Sequence, residues 1–447
     1  MLCAPRSRST GKTLCRSVFG VIAVLAVASC SSSHPTSAGA GAGTLDSGFG
    51  SGGKVTTDLG SRADRARAVA VQQDGKIVAV GSTQDPGQGD NFAVVRYATD
   101  GRIDTAFGDG GRVSTDFGGK ADIANAVALQ QDGKIVAAGT SHGTDTGDNI
   151  ALARYTADGK LDPGFGDGGK VSTDLGTKAD HANAVAVESD GKIVIAGSTH
   201  DPAQGDNFVV VRYTSDGKLD PAFGENGKAS TDFGGKADIA NALVLQPDGK
   251  IVAAGTSHGT DTGDNIALAR YTADGKLDPG FGDGGKVSTD LGTKADHANA
   301  VVLESDGKIV IAGSTHDPVQ GDNFVLVRYT TDGKQDTAFG ENGKVSTDFG
   351  GKADIAHGLA LAPEGTLVAV GTSTGTATGD NVAIARYTAD GKLDTGFGSG
   401  GTVSTDLGTK ADHGNAVAVQ PDGKILVAGS TADPVQGDEF LLLRYHG

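Results

Sequence analysis

Apolar residues along the chain fall into short runs separated by glycine-containing turns, and the pattern returns at a fixed spacing. The phenylalanine of a D-x-x-F-G motif recurs every 58 residues, at Phe49, Phe107, Phe165, Phe223, Phe281, Phe339 and Phe397. The tyrosine of an R-Y pair recurs at the same interval, at Tyr97, Tyr155, Tyr213, Tyr271, Tyr329, Tyr387 and Tyr445. A constant period without insertions indicates one supersecondary unit repeated seven times, as in a propeller or a solenoid.

Each copy contains four stretches that are typical of β-strands. In the third copy they are predicted at residues 184–187, 192–196, 208–213 and 228–232, with D-G turns after the first and third and a long loop after the second. The runs A-V-A-V, K-I-V-I-A and F-V-V-V-R-Y are apolar on both faces. This is expected when each small sheet packs between two others, as the blades of a propeller do.

The phase of the repeats favours a closed ring. The chain starts with a single strand of the fourth type, at 54–58, and ends after strands of the first three types, at 416–445. Closing the ring would complete the last blade, whereas an open solenoid needs polar caps at its ends. The sequence therefore predicts an all-β, closed seven-bladed β-propeller over residues 44–447, with four strands per blade and the last blade completed by the N-terminal strand.

The repeat motifs also carry a family resemblance. They read L-D-P-G-F-G-D-G-G-K-V-S-T-D at 161–174, A-N-A-V-A-V-E-S-D-G-K-I-V-I-A-G at 182–197 and F-V-V-V-R-Y at 208–213. Over residues 45–447 the chain resembles the delta-60 repeat family. The resemblance implies a β-propeller of bacterial surfaces, and it brings no catalytic residues with it.

Composition limits the core and the partners. With 72 Gly, no Trp and 37% hydrophobic residues, the core must be built from small aliphatic side chains. A net charge of −17 argues against nucleic acid as a partner, because phosphate binding needs a basic footprint.

The N-terminus has the pattern of an export signal. Residues 1–29 carry four basic and no acidic residues and include an apolar run at 18–28, too short to span a membrane. The ending V-A-S-C resembles a bacterial lipobox. It predicts a lipoprotein signal peptide at 1–29, a lipid on Cys30 and a flexible tether over 30–43, and the alternative is an ordinary signal peptide cleaved nearby. We therefore expect a monomeric lipoprotein of the bacterial cell envelope, held to the membrane through its lipid alone.

Polar residues cluster where the second strand leads into the third and where one blade leads into the next. Because neighbouring strands alternate in direction, these segments share one side of the disc, here called the long-loop face. The candidate ligand-binding residues on it are Lys178, Asp180, Asn183, Asp206, Lys294, Asp296, Asn299 and Asp322. For the aspartates that precede each first strand, a structural role is also expected, because such residues often accept hydrogen bonds from amides of their own turn.

Histidines on this face suggest a metal site. Hairpin pairing is expected to bring His181 near His200 and His297 near His316, beside Asp180 and Asp296. Two imidazoles with a carboxylate suit zinc or another divalent metal, which would be the one cofactor. The alternative is that these histidines are solvated loop residues. Arg212 and its six equivalents are expected to form structural ion pairs, such as the one with Asp220.

The copies are nearly interchangeable, and no recognised nucleophile or phosphate-binding motif occurs. Repetition favours many weak contacts with a polymeric or multivalent partner, a protein or a polysaccharide. The sequence therefore favours a non-catalytic binding or scaffold module. Two alternatives remain: a metal-dependent propeller hydrolase or lactonase with a His/Asp site on the long-loop face, and a purely structural surface protein.

Overall fold

The computed structural model describes residues 41–447 except 86, 88, 144–146, 177–178, 204, 260–262, 376–378 and 410. The predicted signal peptide, Cys30 and the tether up to residue 40 lie outside the described residues. The described part forms 28 strands and one short 3-10 turn at Pro363–Gly365. No helix within it has the length and apolar character needed to cross a membrane.

The strands group into seven four-stranded antiparallel sheets, or blades. Blade 1 contains β2 (Arg65–Val71), β3 (Ile77–Asp85), β4 (Gly89–Tyr97) and β5 (Arg112–Thr115). Blade 2 contains β6 (Asp122–Leu129), β7 (Ile135–Gly143), β8 (Gly147–Tyr155) and β9 (Lys170–Thr173). Blade 3 contains β10 (Asp180–Val187), β11 (Ile193–Asp201), β12 (Gly205–Tyr213) and β13 (Lys228–Thr231). Blade 4 contains β14 (Asp238–Leu245), β15 (Ile251–Gly259), β16 (Gly263–Tyr271) and β17 (Lys286–Thr289).

The remaining three blades follow the same order. Blade 5 contains β18 (Asp296–Leu303), β19 (Ile309–Asp317), β20 (Gly321–Tyr329) and β21 (Lys344–Thr347). Blade 6 contains β22 (Asp354–Leu361), β23 (Leu367–Thr374), β24 (Asp380–Tyr387) and β25 (Thr402–Thr405). Blade 7 contains β26 (Asp412–Val419), β27 (Ile425–Asp433), β28 (Gly437–Tyr445) and, from the N-terminal end, β1 (Lys54–Thr57).

The blades form a closed ring. The first strand of each blade contacts the first strands of both neighbouring blades, and β2 contacts β26 to complete the circle. In blade 7, β1 pairs with β28 in antiparallel register, Lys54 opposite Leu443 and Thr57 opposite Phe440. The predicted closed seven-bladed propeller, with its last blade completed by the N-terminal strand, is confirmed.

The hydrophobic core lies between the blades. It consists of seven clusters, one at each blade-to-blade contact, built mostly from Ala, Val, Leu and Ile. Larger side chains come from the repeat motifs, such as Phe49 and Tyr97 at the contact between blades 7 and 1. The small side chains allow the sheets to approach one another closely, which explains how the chain builds a core without tryptophan.

An arginine lies on each third strand, and six of the seven donate to a backbone carbonyl of the next blade within the described part of the chain. Nε of Arg212 donates to Oδ2 of Asp220 at 2.9 Å, and Nη1 donates to the Ala273 carbonyl of the next blade at 2.6 Å. The guanidinium also lies 4.7 Å from the centre of the Phe223 ring. At the closing blade, Nε of Arg444 donates to Asp46 at 2.9 Å. The predicted ion pair between Arg212 and Asp220 is therefore present. Its equivalent in blade 7, Arg444 with Asp46, connects the two ends of the chain.

The second and third strands are longer than the sequence pattern predicts. In blade 3 the pairing continues through polar residues as far as Asp201 opposite Gly205. The backbone alone makes these ladder bonds, so loss of the apolar pattern does not end a strand. A bulge at Asn183 lets the first strand extend too. Position 197, opposite the bulge, requires glycine because a Cβ there would lie 1.8 Å from the His181 carbonyl oxygen. His200 and Asp206 consequently lie on strands rather than on a loop.

Candidate functional site

The aspartates at the start of the first strands are buried anchors. Oδ2 of Asp180 accepts from the Leu175 amide at 2.7 Å, and Oδ1 accepts from the Thr199 hydroxyl at 2.6 Å. Asp296 is bound in the same way by the Leu291 amide and by Thr315. Both side chains are fully buried. Asp180 and Asp296 therefore hold the connections between blades and do not reach the predicted ligand-binding face.

The predicted asparagines also link blades. Nδ2 of Asn183 donates to the Ala240 carbonyl of blade 4 at 2.9 Å, and Asn299 donates to the Ala356 carbonyl of blade 6 at the same distance. Lys178 lies outside the described residues. Of the predicted face residues that the structure describes, Lys294 is exposed, and the half-buried ones are Asn183, Asn299, Asp206 and Asp322.

The histidines meet in a different combination from the predicted one. His142 of blade 2 contacts Oδ1 of Asp148, and Oδ2 of the same carboxylate lies 3.7 Å from Nε2 of His181 in blade 3. His200 instead contacts its own strand partner, Asp206, at 2.7 Å. The predicted pair His181 and His200 therefore bind different carboxylates, because the first strand of a blade lies against the preceding blade.

The second predicted pair behaves in the same way. His297 lies 3.6 Å from Asp264, which also contacts His258, whereas His316 contacts Asp322 at 2.7 Å. Among the described residues, no group of three or more His, Cys, Asp or Glu side chains is placed to hold a metal ion. The ligand sets expected from the sequence are thus not assembled in the described part of the ring.

One seam of the ring differs from the other six. The segment between the second and third strands reads D-P-x-Q-G in odd-numbered blades and G-T-x-T-G in even-numbered ones. Because the ring has seven blades, the alternation must fail once. Blades 7 and 1 are neighbours that both carry D-P-x-Q-G. We call their contact the closing seam. At this seam Nε of Arg65 donates to Oδ2 of Asp438 at 2.7 Å, in the place where His181 meets Asp148 elsewhere.

A cleft of about 730 Å³ lies at the closing seam, on the long-loop face. Its walls come from the β1–β2 connection and from the segments between second and third strands of blades 1 and 7. The lining residues are Asp58, Gly60, Ser61, Arg62, Gln84, Asp85, Gly87, Gly89, Val435 and Gln436.

The cleft wall is polar and held by its own turns. Oδ1 of Asp58 accepts from the Gly60 amide at 2.6 Å, and Oδ1 of Asp85 accepts from the Gly87 amide at 2.8 Å. The Val435 side chain is 85% exposed beside these polar groups. The arrangement therefore offers carboxylates, carboxamides and one guanidinium around a single apolar contact.

A family model described as "Domain of unknown function (DUF5122) beta-propeller" matches seven segments that together make up more than half of the chain. The segments are residues 72–107, 130–165, 188–223, 246–281, 304–339, 362–397 and 420–446. The chain belongs to the DUF5122 beta-propeller family. The match agrees with the β-propeller repeat that the resemblance implied, although it does not carry the delta-60 name. No curated protein matches the chain.

Solved structures similar to this DUF5122 propeller include three with low sequence identity. Virginiamycin B lyase from Staphylococcus aureus is 15% identical, with a TM-score of 0.41, over 70% of this chain and 82% of that one. A protein of unknown function from Dyadobacter fermentans is 14% identical, with a TM-score of 0.46, over 88% and 97%. A polysaccharide lyase of family PL25, an ulvan lyase, is 14% identical, with a TM-score of 0.46, over 87% and 95%.

The cleft of this DUF5122 propeller was not among the sites predicted from the sequence. Two signals for it are nevertheless present in the sequence. The alternation of D-P-x-Q-G and G-T-x-T-G must break at one seam, and the first copy alone carries arginine at positions 62 and 65. Both signals lead to the contact between blades 7 and 1.

Proposed function

We propose that this DUF5122 propeller is an exported, lipid-anchored, non-catalytic binding module that takes a hydroxyl-rich ligand, such as an envelope polysaccharide, in the cleft at the closing seam. The observation that carries the proposal is the cleft itself, a concave polar surface at the one seam where the repeat pattern is broken.

The chemistry of the lining residues supports a saccharide. Gln84 and Gln436 each offer an amide donor and a carbonyl acceptor, which suits neighbouring sugar hydroxyls. The carboxylates of Asp58 and Asp85 add acceptor oxygens, and Arg62 adds donors. With two carboxylates against one guanidinium, the cleft disfavours a polyanion, so a neutral polysaccharide fits better. Val435 gives the apolar face of a sugar ring a surface to contact.

The first test compares two valines in the same loop position. Val435→Asp places a charge in the cleft, and we expect it to weaken polysaccharide binding by about tenfold or more, because a carboxylate would be desolvated against the ring. Val319→Asp is the matched control, since Val319 is 91% exposed at the same position of blade 5. Binding is measured by retention of the detergent-solubilised full chain on immobilised envelope polysaccharide.

Melting temperatures of the two variants should equal that of the wild type, because both side chains are exposed. Equal binding by both variants would reject the cleft as the binding site. Absence of binding by the wild-type protein would instead favour a purely structural surface protein.

The second test concerns the anchor. Cys30 follows the V-A-S sequence of the predicted signal peptide and is its lipid acceptor. Cys30→Ala should release the protein from the membrane fraction or leave it unprocessed, whereas Cys15→Ala, within the removed segment, should change neither. The measurement is membrane fractionation with mass analysis of the N-terminus. Normal processing and membrane retention of the Cys30→Ala variant would contradict a lipid anchor.

A further inference from the structure

Asparagines form a ring of hydrogen bonds around the innermost strands. At the bulge of each first strand, an asparagine Nδ2 donates to a backbone carbonyl of the following blade. Five such bonds are present: Asn125 to Ala182, Asn183 to Ala240, Asn241 to Ala298, Asn299 to Ala356 and Asn415 to Ala66, at 2.8–2.9 Å. The other two positions in this asparagine ring hold Arg67 and His357.

Arg67 has a buried group without a partner. Its Nε atom is buried and has no hydrogen-bond partner among the described residues. The nearby Arg65 is engaged by Asp438 and adds a second positive charge. Burial, together with Arg65, lowers the pKa of Arg67, while Asp90 opposes that shift. Leaving a buried donor unpaired destabilises a fold, so asparagine would be the more stable choice at this position.

His357, the other exception in the asparagine ring, does not carry a similar charge. Burial, with His413 beside it, lowers the pKa of His357 to about 4, so the imidazole is neutral at pH 7. Arg67 is therefore the one residue at these seven positions that is charged at neutral pH. A guanidinium in a partly desolvated place is suited to bind an oxyanion, because its fork of donors matches two oxygens at once.

We propose that Arg67 is the centre of an anion-binding site on the innermost strand of blade 1, which takes the carboxylate or phosphate group of a small ligand. A bound oxygen would satisfy the Nε donor that the described residues leave unpaired. Arg67 does not line the cleft at the closing seam, so this site is independent of the proposed polysaccharide function.

The test uses the repeat itself to design the variant. In Arg67→Asn, the new side chain is expected to donate to the Ala124 carbonyl, as its equivalents do in five other blades. Calorimetry and thermal melts of the full chain are carried out with phosphate and with acetate at constant ionic strength. We expect the wild type to bind one or both anions and to melt higher in their presence, as binding to the native state requires.

The Arg67→Asn variant should lose at least about tenfold in anion affinity, because the guanidinium and its charge are gone. Without anion it should melt above the wild type, since the unpaired guanidinium has been removed. Arg67→Lys should bind with intermediate affinity because it keeps the charge but not the fork. His357→Asn, which changes the same ring without changing its charge at pH 7, should leave anion affinity unaltered.

The two anions separate the ligand sources. Binding of acetate alone identifies a carboxylate ligand, and binding of phosphate alone identifies a phosphate ligand. The proposal is overturned if the wild type binds neither anion, or if Arg67→Asn binds as tightly as the wild type. A lower melting temperature of anion-free Arg67→Asn would also overturn it, because Arg67 would then be a structural residue.

Discussion

Deletion of residues 44–60 is expected to open the ring and to unfold or aggregate the protein. The deleted segment contains β1, which pairs with β28, and Phe49, which is fully buried between blades 7 and 1. Truncating a buried phenylalanine costs about 3–5 kcal/mol, and leaving Arg444 without Asp46 costs a similar amount. Since most domains are stable by only about 5–15 kcal/mol, the combined loss leaves little or no native state.

Circular dichroism melts and gel filtration measure this effect. The matched control is deletion of residues 31–40, in the predicted tether. The control stops at residue 40 because the Gly43 amide donates to the His446 carbonyl at 2.8 Å and belongs to the closure. The same melting temperature for both deletions would be incompatible with a ring that is closed by its N-terminal strand.

The substitution Arg212→Ala is expected to destabilise the protein by about 3 kcal/mol at neutral pH, because the buried carboxylate of Asp220 loses its hydrogen-bonded cation and keeps only Lys192, 3.6 Å away. Both side chains are only 7% exposed. The variant also loses the bond to the Ala273 carbonyl and the contact with the Phe223 ring. Urea unfolding of the variant and the wild type gives the difference in free energy of unfolding.

Lys218→Ala is the matched control for this substitution. Lys218 and Asp216 form an ion pair at 2.7 Å, but their side chains are 79% and 50% exposed. Solvent screens such a pair, so its loss should have no measurable effect on stability. Adding Asp220→Asn to Arg212→Ala should recover part of the loss, because it removes the buried charge. Equal effects of Arg212→Ala and Lys218→Ala on the free energy of unfolding would contradict a stabilising role of the buried Arg212–Asp220 pair.

The Arg212–Asp220 pair should also make the stability of the protein depend on pH. Burial opposes the charge of Asp220, but the Ala222 amide and Arg212 outweigh it and hold the pKa of this carboxyl below its ordinary value. Its stabilising effect is therefore present above the unfolded pKa, near ~3.9, and is lost as the pH falls through the lower folded value. The difference in free energy of unfolding between the wild type and Arg212→Ala should accordingly be largest at neutral pH and should shrink below about pH 4.

The sequence by itself determined the repeat, the number of blades, the closure and the Arg212–Asp220 pair. These features depend on local patterns: a 58-residue period, D-G turns, and strands that are apolar on both faces. The ion pair belongs to this group as well, because Arg212 and Asp220 are close in the chain. The position of the single N-terminal strand was enough to predict which blade it completes.

Only the tertiary structure decided which histidines and aspartates of the long-loop face meet. It pairs His142 with His181 through Asp148, where hairpin neighbours had been expected to pair, and it buries Asp180 beneath the long-loop face. These outcomes depend on how closely one blade lies against the next, which the pattern within a single repeat does not contain. The cleft at the closing seam has the same origin, because it arises where copies that are distant in the chain come together in the ring.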